Sequence, residues 1–235
     1  MSKGWKLIPQ YRYIDPNEHK TRSVDFLCVK AFTLDSIWYS RFRTSISLEC
    51  KQLIDKQWVL FTVKMPEEFN DPMNQFTLLD FYEKRKSSLK IPLINILYKL
   101  HYFDFQRYAI NHYVPFNKTD SLYEAINQTL KAQYSDKEFI KKFSTKFNLP
   151  EGGILSLFFP MIVCDDNLFE YKVETNELSE SDHLIYYTHA LEGADGFSSK
   201  LMDVLKVSKF EDSLNRIDQE ILKITENLGK IVEEQ

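Results

Sequence analysis

Asp25, Glu49 and Lys51 are the residues whose types and spacing best suit chemistry. Glu49 and Lys51 flank Cys50 in Thr44 to Gln52 (TSISLECKQ), a run that alternates in polarity, and Asp25 sits in the β-branched and aromatic run Ser23 to Phe32 (SVDFLCVKAF). Side chains alternate faces along a strand, so Glu49 and Lys51 project to one side about 6 to 7 Å apart while Cys50 points away. Asp25 joins them if the two strands pair. A carboxylate and an ammonium in a half-buried sheet are costly unless each charge is paired or bound. Two carboxylates on neighbouring strands would hold a hard, oxygen-seeking cation such as Mg²⁺ or Mn²⁺, with the carbonyl of Cys50 as a third oxygen. Such an ion polarises a phosphate and lowers the pKa of its bound water. Lys51 would then orient or deprotonate that water and offset the charge developing on the phosphate. A bland reading stands beside this one, with Glu49 and Lys51 on a solvated strand face and Asp25 paired with a nearby cation such as Arg22.

Other candidates are weaker. Arg41-Phe42-Arg43, just before the Glu49 strand, and Lys84-Arg85-Lys86 could contact phosphates or be solvated charge runs. His101, His112, His183 and His189 are scattered without paired-ligand spacing, and His19 lies near Asp25 in sequence. Asp165-Asp166 reads as a turn. Cys28, Cys50 and Cys164 lie in apolar or strand-like runs with no CxxC spacing, which predicts buried free thiols. Walker, GxGxxG and GxSxG patterns are missing from the sequence, which speaks against nucleotide-driven chemistry.

The 235 residues are 43% hydrophobic and 27% charged, enough for one large domain with a sizeable core. A net charge of −4 does not advertise a polyanion partner, so a nucleic-acid reading rests on a local site. The start MSKGWKLIPQ has no apolar leader region, and no stretch approaches the roughly 18 uninterrupted apolar residues of a membrane span. A cytoplasmic protein is expected.

Strands are expected at Trp5 to Ile14, Ser23 to Phe32, Thr44 to Gln52 and Trp58 to Val63, joined as an antiparallel meander. A polar connection with a short helix near Phe76 to Glu83 follows, then helices over Ile91 to Tyr113 and Ser121 to Phe147, the second capped by Ser121 or Asp120. Leu155 to Cys164 and Leu168 to Glu174 flank Asp165-Asp166-Asn167 and read as a hairpin. His183 to His189 and Leu201 to Val207 suggest more strands. Leu214, Ile217, Ile221, Ile224, Leu228 and Ile231, three and four apart, predict one long amphipathic helix to the end. It packs on its own domain or on another copy.

The stretch SVDFLCVKAF…SISLECKQ resembles the PD-(D/E)xK nuclease superfamily, whose core is a helix, a three-strand meander carrying Asp and then Glu-x-Lys, and a later helix and strand. The resemblance spans roughly residues 5 to 63. It implies metal ligation by Asp25 and Glu49, a catalytic Lys51, and a substrate contact at Gln52. Val24 stands where the family name has proline, and only four residues precede Trp5, so either the chain is a truncated product or another element replaces the opening helix. The fold implied is an α/β, restriction-endonuclease-like mixed sheet with flanking helices, in one domain. Residues 5 to 63 form the meander, 91 to 207 add helices and strands, and 210 to 235 close it. The activity implied is Mg²⁺-dependent hydrolysis of DNA; the alternative is an inactive nuclease-like module that binds nucleic acid or protein, with a second copy or partner subunit able to supply a missing element.

Overall fold

A computed structural model describes residues 4–33, 39–54, 56–64, 79–82, 100, 105–115, 120–146, 153–188 and 201–233. Its strands are β1 (Lys6–Ile14), β2 (Thr21–Thr33), β3 (Tyr39–Lys51), β4 (Trp58–Lys64), β5 (Leu79–Tyr82), β6 (Arg107–Tyr113), β7 (Gly153–Cys164), β8 (Leu168–Lys172), β9 (Glu177–Glu180), β10 (His183–Tyr187) and β11 (Leu201–Lys206). Two long helices are described, α1 (Ser121–Lys146) and α2 (Phe210–Glu233). The strands form one mixed sheet in the order β1-β2-β3-β7-β11-β10-β6-β4-β8-β9, with β5 also beside β7. The chain is therefore α/β. No described helix is long and apolar enough to cross a membrane.

β1, β2 and β3 make the expected antiparallel meander, and the chain returns through α1 to lay β7 parallel to β3 over their whole shared length. Asp120 starts α1, its Oδ1 accepting the Tyr123 N–H at 2.9 Å. The buried residues of α1 follow a helical spacing: Leu122, Ala125, Ile126, Thr129, Leu130, Ala132, Gln133, Asp136 and Ile140. That spacing turns one face of the helix to the sheet. Ile217, Ile221 and Ile224 of α2 join a separate core with Phe42, Ile46 and Leu48 of β3. Glu49 and Lys51 alternate with Leu48, so they lie on the face of β3 opposite to that core, where Arg43 and Lys51 reach Asp136 and Gln128 of α1.

Five expectations are corrected. β4 does not extend the meander; it pairs with β6 and β8 at the far end of the sheet. The end of the expected helix over Ile91 to Tyr113 is strand β6, and strand β5 occupies Leu79–Tyr82, where a short helix was expected. β7 and β8 are no hairpin: β8 joins β4 and β9, because Asp165 and Asn167 bind the chain around Leu53 and Trp58 instead of closing a turn. Cys50 is exposed, unlike Cys28 and Cys164. Short apolar runs fit helix or buried strand alike, and alternation says nothing about which strand is the neighbour.

The α1 interface with the meander carries two inward ion pairs. Arg43 grips Asp136 with two hydrogen bonds of 2.7 and 2.8 Å, and Lys131 meets Asp15 at 2.7 Å. Asp136 and Asp15 are almost wholly buried, so removing one partner leaves an uncompensated charge. Asp136→Ala is expected to cost about 3 to 5 kcal/mol in denaturant unfolding. The double change Arg43→Met with Asp136→Leu should recover most of that loss.

Candidate active site

The β2–β3 ladder runs from Thr33↔Arg41 to Phe26↔Leu48 and stops there, although β3 stays paired with β7 as far as Lys51↔Cys164. Carboxylates fill the gap where β2 leaves. The Asp25 N–H donates to Glu49 Oε2 at 3.3 Å, and the Cys50 N–H donates to Asp25 Oδ2 at 2.8 Å. Each acid thus occupies a main-chain donor of the opposite strand. On the other side of β2, Gln10 takes a left-handed backbone (φ 46°) between the pairs Pro9↔Phe26 and Tyr11↔Val24. An irregularity of this kind re-aims the strand at Asp25.

Glu49 is only 4% exposed. Lys51 Nζ donates to its Oε1 at 2.7 Å and also to Gln128 Oε1, on α1, at 3.2 Å. Burial holds the Glu49 pKa above the ordinary glutamate value; the Lys51 hydrogen bond and charge oppose this, and the nearby Asp25 charge adds to it. Tyr13, buried with Val24 and Ala132, walls the site, its phenol pushed up by burial and then by the charges of Asp15 and Glu49.

The structure therefore brings together Asp25, Glu49, Cys50 and Lys51. Gln52 is exposed just past the end of β3. Arg43 lies six residues back along the strand, about 20 Å away, with its guanidinium taken by Asp136. Arg41 is also in β3, but its side chain lies outside the described residues, as do Lys84-Arg85-Lys86, His101 and His189. Arg22 pairs with Glu18 rather than Asp25, and the burial of Glu49 does not fit a solvated strand face. His112 bridges Asp120 and Tyr186, and His183 meets Asp203. Asp165 and Asp166 each accept the next residue's N–H, and Asp165 also accepts the Leu53 N–H across the sheet, so both serve the chain path and lie apart from the carboxylate site.

Gln128 was not visible as a site residue. It lies 77 positions from Lys51, on a helix whose spacing marks only its apolar stripe.

Two carboxylates and the Cys50 carbonyl form a hard oxygen set, and the crowding of Asp25 on Glu49 is what a divalent cation would relieve. Among the described residues no three His, Cys, Asp or Glu side chains converge as a metal group.

Compared with family models, curated proteins and solved structures, the chain matches none of them.

Between the ordinary glutamate pKa and its raised folded value, the native state holds more protons at Glu49 than the unfolded chain does. Stability is then lost as pH rises through that window. Glu49→Gln should therefore raise the denaturant midpoint at pH 8, with the advantage shrinking as pH falls below the ordinary glutamate value. An advantage that is constant from pH 4 to pH 8 would contradict this.

Proposed function

We propose that this chain is a divalent-metal-dependent nuclease of the PD-(D/E)xK type that hydrolyses phosphodiester bonds in DNA. The observation that carries the reading is the meeting of Asp25 and Glu49 where β2 leaves β3, with the Lys51 ammonium on Glu49. Topology supports it in part: β1, β2 and β3 form an antiparallel meander, and β7, which follows α1, lies parallel to β3, although β4, β5 and β6 intervene between the meander and α1. α2, tied by Asp218 to Trp5 and Lys30 at 2.8 Å each, supplies a second helical layer in place of an opening helix. The choice of DNA comes from the resemblance.

Asp25, Glu49 and the Cys50 carbonyl would hold Mg²⁺ or Mn²⁺, which when bound polarises the phosphate and acidifies its water. Lys51 has two acceptors, Glu49 and Gln128. Held by Gln128, the ammonium would lie where it can face the phosphate. There it orients the attacking water and stabilises the negative charge that builds on the phosphate oxygens. Gln128 acts as a positioning residue, fixing where the ammonium sits. Burial around Glu49 lowers the local dielectric, which strengthens these charge interactions.

A second reading has one observation in its favour. The 2.7 Å contact between Lys51 and Glu49 closes the site on itself, as suits a module that binds without cutting. Cleavage of supercoiled plasmid with Mg²⁺ or Mn²⁺ separates the two. The nuclease reading expects cleavage that falls at least ~100-fold in Glu49→Ala and in Lys51→Ala. Cleavage that survives both changes refutes it, and binding without cleavage in either metal favours the module. Gln128→Ala should lower kcat by roughly tenfold to a hundredfold, as displaced catalytic groups do, with KM little changed and the pH–rate profile shifted. An unchanged profile would remove Gln128 from the machinery.

A further inference from the structure

The tip joining β1 to β2 is built more firmly than a surface hairpin requires. Asp15, 2% exposed, accepts the N–H groups of Asn17 and Glu18 at 2.9 and 3.1 Å through Oδ1 and meets Lys131 of α1 through Oδ2. Its main chain closes the tip through Asp15 N–H to Lys20 O and His19 N–H to Asp15 O. The anchor is thus the helix that also carries Gln128 against Lys51. A buried charge used in this way fixes the tip relative to the carboxylates.

Three basic side chains, His19, Lys20 and Arg22, stand on this tip. Lys20 and Arg22 are exposed, and both reach one carboxylate, Glu18, at 3.3 and 2.8 Å. An oxyanion shared between an ammonium and a guanidinium is the arrangement that also receives a phosphate. Arg22 lies three residues from Asp25, about 10 Å along β2, and a B-form strand carries one phosphate per ~3.4 Å of axis. Because the phosphates wind around the axis as well as rising along it, a strand with its scissile phosphate at Asp25 and Glu49 would bring a phosphate roughly one or two steps away to the tip.

We infer that the tip of the β1–β2 hairpin is a phosphate-binding clamp for the nucleic-acid backbone, in which Lys20 and Arg22 exchange Glu18 for a backbone phosphate. This rests on the nuclease reading for the position of the scissile bond, but the contact itself needs no catalysis.

The test is binding of a fluorescent 24-base-pair duplex by the full chain in EDTA, followed by anisotropy from 50 to 200 mM salt. Lys20→Ala with Arg22→Ala removes two phosphate contacts. The slope of log affinity against log salt should flatten by about 1.8, so the affinity lost over that range becomes roughly tenfold smaller than in the unaltered chain. Glu18→Gln should tighten binding, whereas Glu177→Gln on β9, at the opposite end of the sheet, should not. All four substitutions are at exposed side chains, and an unchanged unfolding midpoint verifies the fold. No binding by the unaltered chain at 50 mM salt overturns the clamp, as does an unchanged slope in the double variant. Equal effects of Glu18→Gln and Glu177→Gln overturn it too, since they would leave only net charge. Plasmid cleavage is read separately: cleavage with an unaltered slope rejects the clamp alone, and a flattened slope without cleavage rejects the nuclease alone.

Discussion

The organisation of the candidate site depends on one constraint: β3 cannot pair with β2 and accommodate Glu49 and Asp25 at the same place. Main-chain donors in a half-buried sheet must find acceptors. At Asp25 and Cys50 those acceptors are carboxylates from the opposite strand, so parting the strands leaves both donors satisfied. The price is two acids close together in a poorly solvated place, offset by a single ammonium.

α1 is what keeps this arrangement in register. Its apolar residues cover the sheet, while Gln128, Lys131 and Asp136 along the same helix reach Lys51, Asp15 and Arg43. Three elements of the meander, the tip before β2 and both ends of β3, are thereby tied to one rigid body. Buried pairs of this kind add little net stability against apolar replacements, but they penalise every alternative placement of the helix. Fixing the position of Lys51 to fractions of an ångström is what catalysis on a phosphate would demand.

What the sequence made legible was local. Alternation in TSISLECKQ placed Glu49 and Lys51 on one face, and the β-branched run around Asp25 placed it on the adjacent strand, because period-two patterns report strand faces directly. The stripe from Ile217 to Ile224 gave α2 in the same way. What stayed hidden was non-local: that Trp58 to Lys64 crosses to the far end of the sheet, that Arg107–Tyr113 is strand, and that Leu168 pairs with Trp58 rather than back along β7. Such partners are chosen by packing across the whole domain, and a short apolar run fits several of them equally well. Gln128 belongs to this class. So does the engagement of Arg43 by Asp136, 93 positions away.

The most direct test of a metal-accepting carboxylate pair is a crystal soaked in Mn²⁺ and measured at the manganese absorption edge. The account predicts an anomalous peak within about 2.2 Å of oxygens from both Asp25 and Glu49, in keeping with the short, near-octahedral bonds of small divalent cations. It also predicts that the Lys51 ammonium turns from Glu49 towards Gln128. Full Mn²⁺ exposure with no peak at that place, and with the Lys51–Glu49 contact intact, would contradict it.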